Sequence, residues 1–232
     1  MARGENYVRA VQTPPTGAAS AVYLTLVIQV LSLGALVVFE QVRGRSLAGQ
    51  IAALGGEARG SQAVVGAVTV FAVLMMLLVG TTVAAAIAYL TWLIRARQVN
   101  VPTAPAAPVL AAWLVPGVNL VAPFVLADEV WRGARPPFDR RGRWLGLLTA
   151  WWVSCLAAVF LVAARLLDTS VGELTGLGLT ELAVTLLAAV LCARTVRDVT
   201  AIQRSLHDSP QVRRLPLARP RPARHAASDV AS

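Results

Sequence analysis

Apolar positions in this chain neither alternate nor fall on one helical stripe; they run together. Four long runs are almost free of charge, residues 17–39, 62–94, 144–164 and 177–196, the last containing Glu181 and Arg194. A hydrocarbon core of about 30 Å is crossed by roughly 20 apolar residues in a helix, so each run predicts one transmembrane span. The second run has 33 uncharged residues and must tilt or protrude. The first is followed by EQVRGR rather than a small-residue cleavage site, so it is read as a retained helix.

Between the second and third runs, residues 109–130 are apolar but interrupted by WLVPGVNLVAPF, at 113–124. Pro116 lacks a backbone donor and drives its ring at the carbonyl four residues back, which costs about 3 kcal/mol or more inside a regular helix. Pro123 repeats the interruption. Two readings stay open, a kinked fifth span and a segment that dips into the membrane and returns. For the second, the expected course is a helix from about Pro108 that stops near Val115, a turn through Pro116 to Asn119, and a short helix from about Pro123. The Asn119 amide is expected to serve backbone groups freed at the break, and the break itself to face other helices rather than lipid.

Composition supports lipid as the solvent: 56% hydrophobic, 14% charged and a mean hydropathy of +0.64 are outside the range of a soluble domain. The net charge of +9 comes from 21 arginines with no lysine, which fits a GC-rich bacterial genome. In such a chain arginines are read first as topology markers, and nucleic-acid binding is not expected. Translocated loops carry few of them. WRGARPPFDRRGRW and the region from Arg194 onward are arginine-dense, whereas LLDTSVGELTG has two acids and no arginine. Both basic regions are therefore expected in the cytoplasm, with both termini, and the acidic loop outside. A returning segment gives 17 arginines inside and 4 outside; a crossing one gives 16 and 5. The expected fold is an all-α integral membrane protein with four transmembrane helices plus a proline-broken re-entrant segment, the alternative being five transmembrane helices.

Residues 1–16 read as a cytoplasmic segment, 17–200 as the membrane domain, and 201–232 as a disordered Arg/Pro-rich tail. The stripes Gly80, Ala84, Ala88 and Gly146, Ala150, Ser154, Ala158 are expected in helix interfaces, because backbones in lipid associate by close approach. Trp92, Trp131 and Trp144 lie beside arginine clusters and are expected as interfacial anchors. Cys155 and Cys192 differ in expected depth by roughly 10 Å at 1.5 Å per residue, beyond disulfide reach, and are read as small hydrophobes.

From Tyr89 the chain reads YLTWLIRARQVNVPTAPAAPVLAAWLVPGVNLVAPFVLADEVWRGARPP. It resembles a bacterial membrane family common in actinobacteria, domain of unknown function 4328. That family's pattern falls here on Trp92, Arg95, Ala96, Arg97 and Asn100, then Trp113, Pro116, Asn119, Leu120, Pro123, Glu129, Trp131 and Arg132. The resemblance extends more weakly over about residues 20–200 and excludes the tail. Phe124 stands where the family often has tyrosine, so a phenol hydroxyl is not essential here. The resemblance implies a cytoplasmic N-terminus and brings no reaction, substrate or cofactor.

An ionisable group inside a span is costly, and Glu181 is the one carboxylate so placed; Arg165 ends the preceding helix at a similar depth, so a structural ion pair is expected, with a proton or cation relay as the sharper alternative. Spacing places Asp128 beside Arg132, and Arg132 beside Arg135, on one helix face. Enzyme readings lack parts. His207 and His225, the only histidines, lie toward the C-terminus, which excludes a Ser/His dyad or histidine metal site within the membrane. No carboxylate faces Glu181 to form an aspartyl-type dyad, and no phosphate loop is present. Neither catalytic residue, metal nor cofactor is expected. The remaining classes are a non-catalytic scaffold or envelope-associated interaction protein of the bacterial plasma membrane, and a carrier or channel subunit whose residues 113–124 line a path. In the first, the tail touches anionic lipid or an acidic protein.

Overall fold

A computed structural model of the protein describes residues 14–44, 46, 49, 62–136, 138–167 and 176–208. Helix α1 spans Thr16–Phe39 and continues into a π-helical turn, Glu40–Gly44; α2 spans Gln62–Asn100. Two short helices follow, α3 (Ala107–Leu114) and α4 (Ala122–Gly133), separated by a 3-10 turn at Val118–Leu120. A second 3-10 turn, Phe138–Arg140, leads into α5 (Arg141–Leu167), and α6 spans Leu179–His207. No strand occurs among the described residues. Among the described residues, which are all-α, four helices, α1, α2, α5 and α6, are long and apolar enough to cross a membrane, as a multi-pass membrane protein requires.

The long helices outrun the apolar runs that announce them. Arg95 and Arg97 are good helix formers, and α2 continues through them to Asn100, stopping where Val101 precedes Pro102 and is pushed from helical backbone. Helix α6 continues to His207, so the boundary expected at residue 200 is displaced. The extra turns are held by tertiary contact, since Gln203 Nε2 donates to Ala96 O at 2.8 Å and to Asn100 Oδ1 at 3.3 Å. Residues 1–13 and 209–232, which include the arginine tail, lie outside the described residues.

Helix α1 packs against both α2 and α6, and α5 packs against α6. Its N-terminal half places Ala18, Ala19 and Val22 in a large core with Trp92, Trp131, Trp144 and Val196, while Leu33, Leu36 and Val37 form a smaller one with Leu177. The start of α1, the ends of α2 and α6 and the start of α5 therefore share one arginine-rich end of the bundle. Cys155 and Cys192 are free thiols in or against the larger core.

Two packing expectations are corrected. On α2 the inward face is Ala85, Tyr89, Trp92, Leu93 and Ala96, while Gly80 and Ala84 are exposed and nothing lies within 4 Å of a Cβ built on Gly80. On α5, Gly146 and Ala150 also face outward, and of that stripe Ser154 is buried. Large rings, with alanines mostly off the expected stripes, fill the interface at this end, and of the α2 stripe only Ala88 packs against it. Accordingly Trp92, Trp131 and Trp144 are not lipid-facing anchors; all three are buried between helices.

The segment between α2 and α5 goes in and comes back. Near its turn, Trp113 lies against Tyr89 at 5.6 Å between ring centroids, and Trp152 Nε1 donates to Leu120 O at 2.7 Å. Tyr89 and Trp152 are each about three helical turns, roughly 16 Å, from the arginine-rich ends of α2 and α5. At its exit, Asn100 Nδ2 at the end of α2 donates to Val130 O at 2.8 Å. Entry and exit thus share one end of the bundle, and the turn reaches about half of a 30 Å hydrocarbon core.

Candidate functional site

The break is built as its prolines require. Helix α3 starts with proline in its first turn, where a missing donor is harmless, and ends at Leu114; Val115, preceding Pro116, is extended at φ −88°, ψ 117°. Gly117 adopts φ 82°, a left-handed conformation open to glycine, and turns the chain into Val118–Leu120. Pro123 lies in the first turn of α4. The Asn119 backbone N–H reaches Val115 O at 3.1 Å, but its side-chain amide makes no bond to a described residue, so its expected capping role is not seen. Nor is the turn enclosed by helices: Pro116 and Gly117 are exposed, as are Leu114 (74%) and Val121 (63%). It leans on α2 and α5 through Trp113 and Leu120 and leaves its other side open.

The return helix is bracketed at its base. Asp128 is buried and accepts hydrogen bonds from Arg141 Nη1, from Arg141 Nη2 at 2.9 Å and from Trp144 Nε1 at 3.0 Å. Arg132 Nε stands 3.1 Å from the same carboxylate, one turn along α4. Burial would raise the Asp128 pKa, but the hydrogen bonds from Arg141 and Trp144, with the charges of Arg141 and Arg132, outweigh it and hold the carboxyl below its ordinary range. Trp131 and Trp144 stack nearly parallel at 5.3 Å, and Arg141 lies 5.3 Å from the Trp131 ring centroid. Arg97 pairs with Glu129 at 3.2 Å. Asn100 completes the bracket through Val130 O, itself held by Gln203.

Trp92, Arg97, Asn100, Trp113, Glu129, Trp131 and Arg132 thus join in one assembly fastening the folded-back segment to α2, α5 and α6. Trp92 contributes by donating from Nε1 to Thr200 Oγ1 at 3.1 Å. Arg95 is exposed on α2 and takes no part. The expected neighbouring of Arg132 and Arg135 on one helix fails, because α4 ends at Gly133 and Arg135 turns off it at φ 50°. Arg141, Trp152 and Gln203 were missed by sequence reasoning, and Trp144 was read as an interfacial anchor instead. Arg141 carried the one available signal, as an arginine at a span boundary facing an acid.

The family model described as Domain of unknown function (DUF4328) matches residues 51–204. The chain belongs to this family. The DUF4328 match contains α2 through most of α6, including the whole folded-back segment, and does not cover α1, where the resemblance in sequence was weak. Comparison with the curated proteins and with the solved structures found no match.

At the opposite end, Arg165 Nε lies 3.1 Å from Glu181 Oε1. Helix α6 begins at Leu179, so Glu181 occupies its third position rather than a site several residues into the span. From there Glu181 Oε2 accepts the Gly178 backbone N–H at 2.8 Å, satisfying one donor at the helix start. Glu181 is 1% exposed, while the Arg165 side chain is about half exposed. The pair closes the terminal turns of two adjacent helices.

Proposed function

We propose that this DUF4328 protein is a non-catalytic scaffold or envelope-associated interaction protein of the bacterial plasma membrane, with its arginine-rich end and both termini in the cytoplasm. The observation that carries this reading is the commitment of the bracket's two carboxylates and of the Asn100 amide to fixed partners, although Arg97 Nη1 and Gln203 Oε1 are buried without one among the described residues. Asp128 serves Arg141, Arg132 and Trp144; Glu129 serves Arg97; the Asn100 amide serves Val130 and Gln203. Polar groups used in this way fix the position of a segment, and a carrier needs groups that exchange partners as solute passes. Chemical crosslinking in the native membrane, followed by purification through a tag, is expected to recover a protein partner in fixed stoichiometry. Recovery of the chain alone, together with solute or ion flux in proteoliposomes, would overturn the proposal.

A second reading, a carrier or channel subunit with residues 113–124 lining a path, is favoured by the open side of the break. Exposed Pro116 and Gly117 and the unpaired Asn119 amide put polar backbone and a side-chain amide at mid-depth of the bundle. Non-helical backbone at that depth needs protein or water against it. The same flux measurement separates the two.

A further inference from the structure

Between α4, α5 and α6, at the arginine-rich end, lies a cleft of about 780 Å³. Arg135, Arg140 and Arg143 line it, opposed by Asp198, and the stacked Trp131 and Trp144 form its wall. None of the three arginines has a carboxylate partner among the described residues. The bracket does not account for them, because its own acid, Asp128, is already taken by Arg141 and Arg132.

From these observations we propose that the cleft binds a phosphate ester of net negative charge. Guanidinium groups offer paired donors matched to phosphate oxygens, and several around one cleft neutralise a charge that a single one cannot. Arg140 precedes α5 and Arg143 lies in its first turn, so both add positive charge to the positive end of the helix, where Asp128 already answers Arg141 and Trp144 but neither of these two. Arg135 reaches the cleft from the left-handed position that terminates α4, its N–H bonded to Arg132 O at 3.0 Å. The site has the size of a small-molecule pocket. Leu147 and Ile202 line the same cleft alongside the tryptophans, giving an apolar wall next to the cations. A phosphate carrying an apolar attachment, as in the headgroup region of an anionic phospholipid, fits that pairing better than a free phosphorylated solute.

The test uses the full chain in a non-ionic detergent and follows its thermal unfolding while three probes are titrated separately: phosphatidylglycerol, phosphatidylcholine and glycerol 3-phosphate. Phosphatidylglycerol is expected to raise the Tm saturably, and phosphatidylcholine to leave it unchanged. A matching rise with glycerol 3-phosphate would assign the site to a free phosphate ester rather than a lipid. Arg140→Gln/Arg143→Gln is expected to weaken the interaction at least tenfold, whereas Arg95→Gln/Arg194→Gln, an equal charge loss outside the cleft, leaves it within twofold. Asp198→Asn removes the opposing acid and is expected to tighten binding several-fold, a gain that a folding defect cannot imitate. Equal weakening by the two double variants, no gain from Asp198→Asn, a rise with phosphatidylcholine equal to that with phosphatidylglycerol, or no saturable effect of either phosphatidylglycerol or glycerol 3-phosphate overturns the proposal.

Discussion

Asn100 leaves no room for a side chain at Gly133: a Cβ placed on that glycine would lie 2.6 Å from Asn100 Nδ2 and 3.1 Å from its Cγ. The amide cannot easily withdraw, because it donates to Val130 O and accepts from Gln203 Nε2. Gly133 is therefore the point at which the return helix closes on the end of α2.

Gly133→Ala is expected to displace the Asn100 amide and lower stability by about 1–3 kcal/mol, the cost of leaving buried polar partners unpaired. Adding Asn100→Ala removes the amide and leaves the Cβ of residue 100, 3.3 Å away, as the remaining tight contact, so the double variant should be less destabilised than the sum of the singles. Thermal unfolding in detergent for the four members of the cycle checks this, and strict additivity would show that the two residues do not meet.

The second prediction concerns Asp128, whose folded-state pKa lies below its unfolded value of about 3.9. A depressed carboxyl contributes stability that is fully present above the unfolded pKa and is lost as pH falls through the folded one. The bracket should therefore hold unchanged from neutral pH down to about 4 and weaken below it. Asp128→Asn should be destabilised at neutral pH and show a smaller loss on acidification than wild type. Protease cleavage in the 134–140 connection, followed against pH, reads the release of the return helix; identical acid profiles for the two proteins would remove Asp128 from this role.

The outline of the fold was legible because its causes are local or uniform. Four apolar runs need only length and hydropathy, and Pro108, Pro116 and Pro123 act on their own turns, so the start, stop and restart of the broken segment follow from three residues. What faces what was not legible. Periodicity orients a helix when one side is polar, but α2 is apolar all round, and the inward face through Tyr89, Trp92 and Ala96 leaves no pattern against the outward face through Gly80 and Ala84. For the same reason Trp131 and Trp144 looked like anchors beside arginines, although they stack on each other. The motif residues Arg97, Asn100 and Glu129 stood out in the sequence, whereas the pairings of Asn100 with Val130 O and of Glu129 with Arg97 did not, because they arise only when the segment folds back.

Glu181 and Arg165 provide the third prediction. Glu181 is buried and serves both Arg165 and the Gly178 N–H, whereas Arg165 is half exposed. Glu181→Gln is therefore expected to lower the Tm more than Arg165→Gln, and the two losses together should fall short of their sum. Equal losses that simply add would mean that the 3.1 Å contact contributes little to holding α5 against α6.

The last prediction tests the direction of the folded-back segment in a living membrane. Asn100 against Val130 and Gly133 places entry and exit at one end of the bundle, so Ala104, ahead of α3, and Asp139, ahead of α5, should face the same compartment. With Cys155 and Cys192 replaced by alanine, single cysteines at these positions are probed in intact cells with a thiol reagent that cannot cross the membrane. Both should be protected until the membrane is opened, because the arginines on either side favour the cytoplasm. A cysteine at Gly172, in the acidic loop, should be labelled from outside and shows that the reagent reaches the surface. Labelling of Ala104→Cys in intact cells with Asp139→Cys still protected would mean that residues 109–130 cross as a kinked fifth helix. Labelling of both, with Gly172→Cys protected, would keep the returning segment and invert the protein in the bilayer.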